Sequence, residues 1–200
     1  MKTEILKFKG DWTEIVDDCR ATVKKPGLGH EPSAEFKKRI LISEHSPIRD
    51  LMVKFKWADI KYWVAMHWKT HHWESRVDSQ RNDRQSRYDR EKAPQDALVD
   101  FFGDTNIQHT IDTWRKRLCY QASPETRAYA EDFKRVLHEH QPEWSDVLVP
   151  NCVYRFGCPE MNTCGYWERL IDESNCAILI DDIQTRYDVY NKIFGGDKNG

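Results

Sequence analysis

The alternation at residues 51–57 constrains the fold of this chain more than any other segment. Leu51, Val53, Phe55 and Trp57 alternate with Met52, Lys54 and Lys56. That is the period of an extended strand, whose successive side chains point to opposite faces. One face is apolar and aromatic and the other carries lysines, so the segment predicts a half-buried strand.

Helices are predicted around it. Asp11 caps one through about residue 23, burying Trp12, Ile15, Val16 and Cys19. A Lys-Lys-Pro-Gly-Leu-Gly break follows, and Ser33 caps a second helix with Phe36, Ile40 and Leu41 on one face. Asp59 opens a helix reaching Trp68. Asn106 caps a helix over 107–120, with Ile107, Ile111, Trp114 and Leu118 as its buried stripe. Ser123 caps another, with Pro124 at its first position. Residues 1–9 read as an edge strand, 97–102 as a brief strand within the loop 82–105, 142–150 as a turn or short helix, and 181–194 as a helix after the β-branched run 176–180.

With 200 residues and no internal repeat or linker, the chain is expected to be a single domain. Net charge is −2, which argues against bulk binding to nucleic acid or membrane, so any anion site must be local. No apolar run approaches a membrane span and the first residues lack a signal peptide's apolar core, so a cytoplasmic location with reduced cysteines is expected.

The local anion site has a candidate. Residues 76–92 hold six Lys or Arg against four acids, with Ser and Gln between them. Guanidinium forks grip phosphate oxygens in pairs, and hydroxyls and amides fill the remaining acceptors. The alternative is a solvated, ion-paired loop.

Motif spacing then resembles the flavin-dependent thymidylate synthases. That family carries Arg-His-Arg, seven residues, then Ser-x-Arg; here Lys69-Thr70-His71 is followed, seven residues on, by Ser79-Gln80-Arg81. The family's His-Glu-Thr/Ser-Pro turn is matched by Glu44-His45-Ser46-Pro47. Arg90, Ala93-Pro94, Asn106 and Arg117 fall at the spacing of a second family block, and the segment Ala122 to Arg127 follows it. The resemblance covers residues 10–130. It departs where both signature arginines are replaced and where Asn82 stands for the closing Tyr, as in a divergent, phage-type branch.

The resemblance implies an α+β fold, helices packed around a twisted, largely antiparallel sheet. It implies a homotetramer with sites between subunits. The reaction would be methyl transfer to dUMP, with methylenetetrahydrofolate giving the carbon, reduced FAD the hydride, and NADPH the reducing power. Ser79, Gln80, Arg81 and Arg90 would hold dUMP, and Arg117 would polarise its ring as the catalytic residue. Ser46, Lys69, Thr70, His71, Asn106, Gln108 and Asp112 would contact FAD. Alternatives remain for these residues: Asn106 as a plain N-cap, Arg117 as a helix-terminal cation, His71 as a surface histidine. A related pyrimidine modification such as hydroxymethylation, or nucleotide binding without flavin chemistry, also fits.

Outside the resemblance, Cys152, Cys158 and Cys164 recur at even spacing among Gly and Pro turns, with Cys119 as a fourth thiol. Four thiolates suit a structural zinc or an iron–sulfur cluster; buried, inert thiols are the alternative.

Overall fold

The alternating segment becomes β2 (Met52–Lys61), in which Val53, Phe55, Trp57 and Ile60 are fully buried. The structure, a computed structural model, describes residues 2–84, 89–174 and 182–196. Strand β2 is paired on one side with β1 (Thr3–Lys9) and on the other with β4 (Leu98–Asn106), and β3 (Glu74–Val77) adds the far edge. All pairings are antiparallel, and the order is β1-β2-β4-β3. Residues 3–9 therefore do form an edge strand.

The helices are α1 (Trp12–Ala21), α2 (Ala34–Ile42), α3 (Tyr62–Lys69), α4 (Ile107–Arg117), α5 (Pro124–His138), α6 (Pro142–Asp146), α7 (Asn151–Arg155), α8 (Tyr166–Ser174) and α9 (Ile183–Gly196). The α+β class holds. Asp11, Ser33, Asn106 and Ser123 all cap as expected, each accepting from backbone N–H groups of the first turn.

The aromatic face of the sheet supplies the core. Phe55 packs edge-on to Phe133 of α5 with centroids 4.8 Å apart, and Trp57 packs on Trp68 of α3 at 4.7 Å. Trp114 of α4 lies 4.4 Å from Phe133. Opposite Phe55 in the register stands Gly103, the one inward position of β4 without a side chain. A Cβ there would fall on ring atoms of both Phe55 and Trp73. Glycine is what allows Trp73 to lie over the sheet just before β3.

Five local expectations are corrected. Asp59 does not open a helix; it lies inside β2 at an irregular register, with φ 51. Asp tolerates the left-handed region better than most residues, and the bulge uses it there. The helix begins at Tyr62 instead, and its first N–H groups donate to Ala97 O and Gln95 O. Strand β4 extends through Asn106, because Gly103 and the flanking acids fit a strand with one buried face. Helix α4 stops at Arg117, with Leu118 as its C-cap. Two helices, α7 and α8, flank the cysteine turns, and β3 interrupts the polar connection. The run 176–180 lies outside the described residues. Among those described, no helix is long and apolar enough to cross a membrane.

Candidate functional site

Arg117 stands at the end of α4, where the helix meets the end of α3. Its Nε donates to His71 Nε2 at 2.8 Å, and its Nη2 donates to His67 O at 2.8 Å and to Thr70 Oγ1 at 3.4 Å. The guanidinium also lies 5.9 Å from the Trp68 ring centroid. One side chain thus satisfies the carboxyl end of α3, whose last carbonyls lack helical partners. The contacts of the described residues leave Nη1 unused. Burial lowers the pKa of Arg117.

His71 is half-buried, and burial first, then the Arg117 charge, brings it from the ordinary 6.5 to about 4. At neutral pH it is uncharged, so Nε2 accepts from Arg117 and Nδ1 carries the proton. Lys69 and Thr70 are exposed beside it. Two of the residues proposed for the cofactor, Thr70 and His71, therefore meet the catalytic candidate.

A second group surrounds the start of α4. Asn106 accepts from His109 N at 2.8 Å, so its N-cap role is real. Gln108 is buried and its Nε2 donates to Glu44 at 2.6 Å and to Asp112 at 3.4 Å. Arg115 ion-pairs with Glu44, reaches Asp112 at 3.5 Å and stacks on Tyr154 with its Cζ 3.4 Å from the ring centroid. Burial works against the charge on Arg115, but the hydrogen bond and charge of Glu44 outweigh it and raise the pKa. Glu44 itself has φ 50, the strained left-handed position that ends α2. Ser46 is exposed in the 3-10 turn Ser46–Asp50 that follows. Ser46, Asn106 and Gln108 thus lie at the opposite end of α4 from Arg117, with Asn106 about 16 Å away along the helix axis, and Asp112 lies midway between.

The arginine loop forms a third group. Arg81 grips Asp83 with both prongs, Nε to Oδ1 at 2.8 Å and Nη2 to Oδ2 at 2.5 Å, and both residues are exposed. Ser79 Oγ accepts from Arg81 N at 3.4 Å, and Arg90 N donates to Asn82 Oδ1 at 2.9 Å. Asn82 thus draws Arg90 to the same place as Ser79 and Arg81, and half-buried Gln80 lies between. Residues 85–88 lie outside the described residues.

Sequence reasoning missed Trp68 and Trp73. Trp12, Trp57, Trp114 and Trp144 each donate their indole N–H to an oxygen, at 2.8–3.1 Å. Trp68 Nε1 and Trp73 Nε1 are buried without an acceptor, as Gln108 Oε1 is without a donor. Unmatched buried polar atoms are uncommon in a folded protein. The sequence signal was a Trp on either side of His71-His72.

No known protein family matches the chain, and no curated protein does. In fold, the chain is similar to the crystal structure of a UMP/dUMP methylase, PolB from Streptomyces cacaoi, bound with 5-Br dUMP. The TM-score is 0.58 at 10% identity, over 73% of this chain and 93% of that one. At that identity the likeness concerns the fold.

Proposed function

We propose that this chain is an enzyme that methylates the pyrimidine of dUMP to give dTMP. What carries the reading is a fold shared with 93% of the length of a UMP/dUMP methylase. The arginine loop supports it. The fork of Arg81 on Asp83 is the geometry with which a guanidinium grips phosphate oxygens, Asp83 standing in for that anion. Ser79, Gln80, Arg81 and Arg90 then hold phosphate and sugar.

Arg117 keeps Nε and Nη2 on α3 and offers Nη1 to a pyrimidine carbonyl. A donor fixed where negative charge develops is worth ~3 kcal/mol in the transition state. Neutral His71 fixes the guanidinium plane without repelling it.

Orphaned buried polar atoms support FAD as the cofactor. The orphan donors on Trp68 and Trp73 lie toward the Arg117 end of α4 and the orphan acceptor on Gln108 toward the other, so different parts of the long dinucleotide would meet them. On that reading Ser46, Lys69, Thr70, His71, Asn106, Gln108 and Asp112 would hold the flavin. Bound there, reduced FAD would supply a hydride, methylenetetrahydrofolate the carbon, and NADPH the reducing power. In one chain the arginine loop and Arg117 stand beyond opposite ends of β3, about 13 Å of strand apart, so a neighbouring subunit of a homotetramer completes each site. A second reading, dUMP binding without flavin chemistry, is favoured by the engagement of His71 with Arg117.

The test is tritium release from dUMP labelled at C5, with FAD, NADPH and methylenetetrahydrofolate. A new bond to C5 must expel that hydrogen, so turnover puts tritium in water. Thermal stabilisation by dUMP with no release would support the second reading. Neither release nor stabilisation would refute both.

A further inference from the structure

Among the described residues, no three His, Cys, Asp or Glu side chains form a group that could hold a metal ion, which corrects the metal expected at Cys119, Cys152, Cys158 and Cys164. Burial above all pushes Cys152 up to about 12, the state of an inert core thiol. The aromatic residues close behind Cys119 and Cys164 have another use. Tyr120 and Tyr166 help to line a cavity of about 520 Å³, a volume within the range of small-molecule sites.

Three helical stripes build most of its wall. Arg127 and Glu131 stand one turn apart on α5, as Arg169 and Glu173 do on α8, and Tyr190, Ile193 and Phe194 share one face of α9. None of the residues proposed for dUMP or FAD lines it.

Two guanidiniums gather on one ring. Tyr166 stacks on Tyr120 with centroids 4.4 Å apart and planes 17° from parallel, and so covers one face. The Cζ of Arg127 lies 4.1 Å from the Tyr120 centroid, over the other face, and that of Arg169 lies 5.9 Å away. Arg127 uses Nε on Glu131, at 3.1 Å. Among the described residues, the guanidinium of exposed Arg169 makes no ion pair and no hydrogen bond.

Tyr190 gives an independent sign of a ligand. It is only 4% exposed, its ring packs on Phe194 at 5.8 Å, and the Lys134 ammonium lies 5.7 Å from the ring centroid. Among the described residues its hydroxyl has no hydrogen-bond partner, and a buried hydroxyl is costly unless paired. Burial above all raises its pKa, followed by Tyr166 and Glu131, both on the cavity wall, so the hydroxyl faces them.

The balance of charge decides the class of ligand. Each arginine of the cavity has a glutamate one turn on, so a bare anion such as phosphate would meet repulsion as well as attraction. A ring with N–H donors and an anionic tail uses both signs. Its donors suit the glutamates, its tail suits the guanidinium forks, and its flat body suits Leu118, Ile193 and Phe194.

We propose that this cavity is a small-molecule site separate from the methylation site, and that it takes a flat aromatic ring bearing N–H donors and an anionic tail. Two kinds of molecule offer that chemistry, an arylamine with a carboxylate tail and an amino-bearing nucleotide with a phosphate.

The test is calorimetric titration of the full chain with 4-aminobenzoylglutamate and with CMP. Their neutral counterparts, 4-aminobenzamide and cytidine, are titrated alongside, as is inorganic phosphate. At least one anionic probe is expected to bind once per chain, about tenfold or more tighter than its neutral counterpart. Binding of the carboxylate probe alone, or of CMP alone, identifies the source. Arg169→Gln should weaken that probe about tenfold or more, Tyr190→Phe should weaken it about two- to tenfold, and Arg81→Gln should leave its affinity unchanged. No binding of either anionic probe, neutral counterparts that bind as well, phosphate that binds as tightly, or affinity unchanged in Arg169→Gln would overturn the proposal. Should a variant fail to fold, the comparison with neutral counterparts on the unaltered chain decides. The lining residues take no part in the methylation site, so this result and tritium release fail separately.

Discussion

Replacing Arg117 by Ala separates the structural role of that residue from the catalytic one proposed for it. The structure gives it two hydrogen bonds of 2.8 Å and a longer one of 3.4 Å, all to the end of α3. Charge-assisted bonds from a half-buried group contribute in total about 1–3 kcal/mol, lowering the thermal midpoint by about 2–10 °C. The chain should remain folded at room temperature. Loss of the donor to the pyrimidine carbonyl should remove ~3 kcal/mol of transition-state stabilisation, about 100-fold in kcat, with a smaller effect on dUMP affinity. A third readout is independent of turnover. Burial and then the Arg117 charge hold His71 at about 4. Removing Arg117 takes away the second cause and opens the ring to water, so the His71 pKa should climb toward 6.5 in an NMR titration. The pH dependence of stability should change with it. In the unaltered chain the unfolded state binds the His71 proton first, so stability falls as pH drops from 6.5 to about 4. That loss should shrink in the variant. Turnover within a few-fold of the original, or a His71 that does not move, would refute the assignment. Arg117→Lys keeps charge but cannot span His71, His67 and a substrate carbonyl at once, so it should recover little turnover.

Three further outcomes follow from the packing. Gly103→Ala forces a Cβ onto Phe55 and Trp73 and should destabilise by about 1–3 kcal/mol, read as a lower urea midpoint with an unchanged slope. Glu44→Gln keeps the shape of the side chain but leaves the buried Arg115 charge without its main partner, so a loss of about 3–5 kcal/mol is expected in the same assay. Lys134 is buried and donates to Ser145 O, and desolvation brings it from 10.5 down to about 7. The unfolded chain then binds a proton that the folded one lacks between those values, so stability should rise from pH 7 to 10.5, and Lys134→Met should flatten that rise.

Much of the fold was legible because its signals are local. The four caps Asp11, Ser33, Asn106 and Ser123 need only a side-chain oxygen and free N–H groups one turn on. The strand at 51–57 needs only alternation. What failed depended on partners distant in sequence. Asp59 looks like a helix cap until Asp100, paired across the sheet, accepts its N–H at 3.2 Å and holds it in the bulge. Strand β3 has only four residues and is fixed by β4, so nothing in Glu-Ser-Arg-Val announces it.

The candidate site divides along the same line. The loop residues Ser79, Arg81 and Arg90 come together within a dozen residues of chain, where spacing alone is informative. The environment of Arg117 is built from α3 and α4, and its decisive feature, a histidine kept neutral by burial and a neighbouring cation, is a property of packing. The same holds for Glu44. In sequence it is a displaced member of a turn motif, yet in the fold its strained backbone delivers a carboxylate to Gln108 and Arg115. That network engages the buried amide of Gln108, with exposed Asp112 at its margin, and leaves Gln108 Oε1 unmatched. A residue identified by spacing can therefore be right in position and still be engaged in holding the scaffold. Whether Gln108 also serves a ligand turns on that one orphan oxygen, which a bound donor would satisfy without breaking the pair to Glu44.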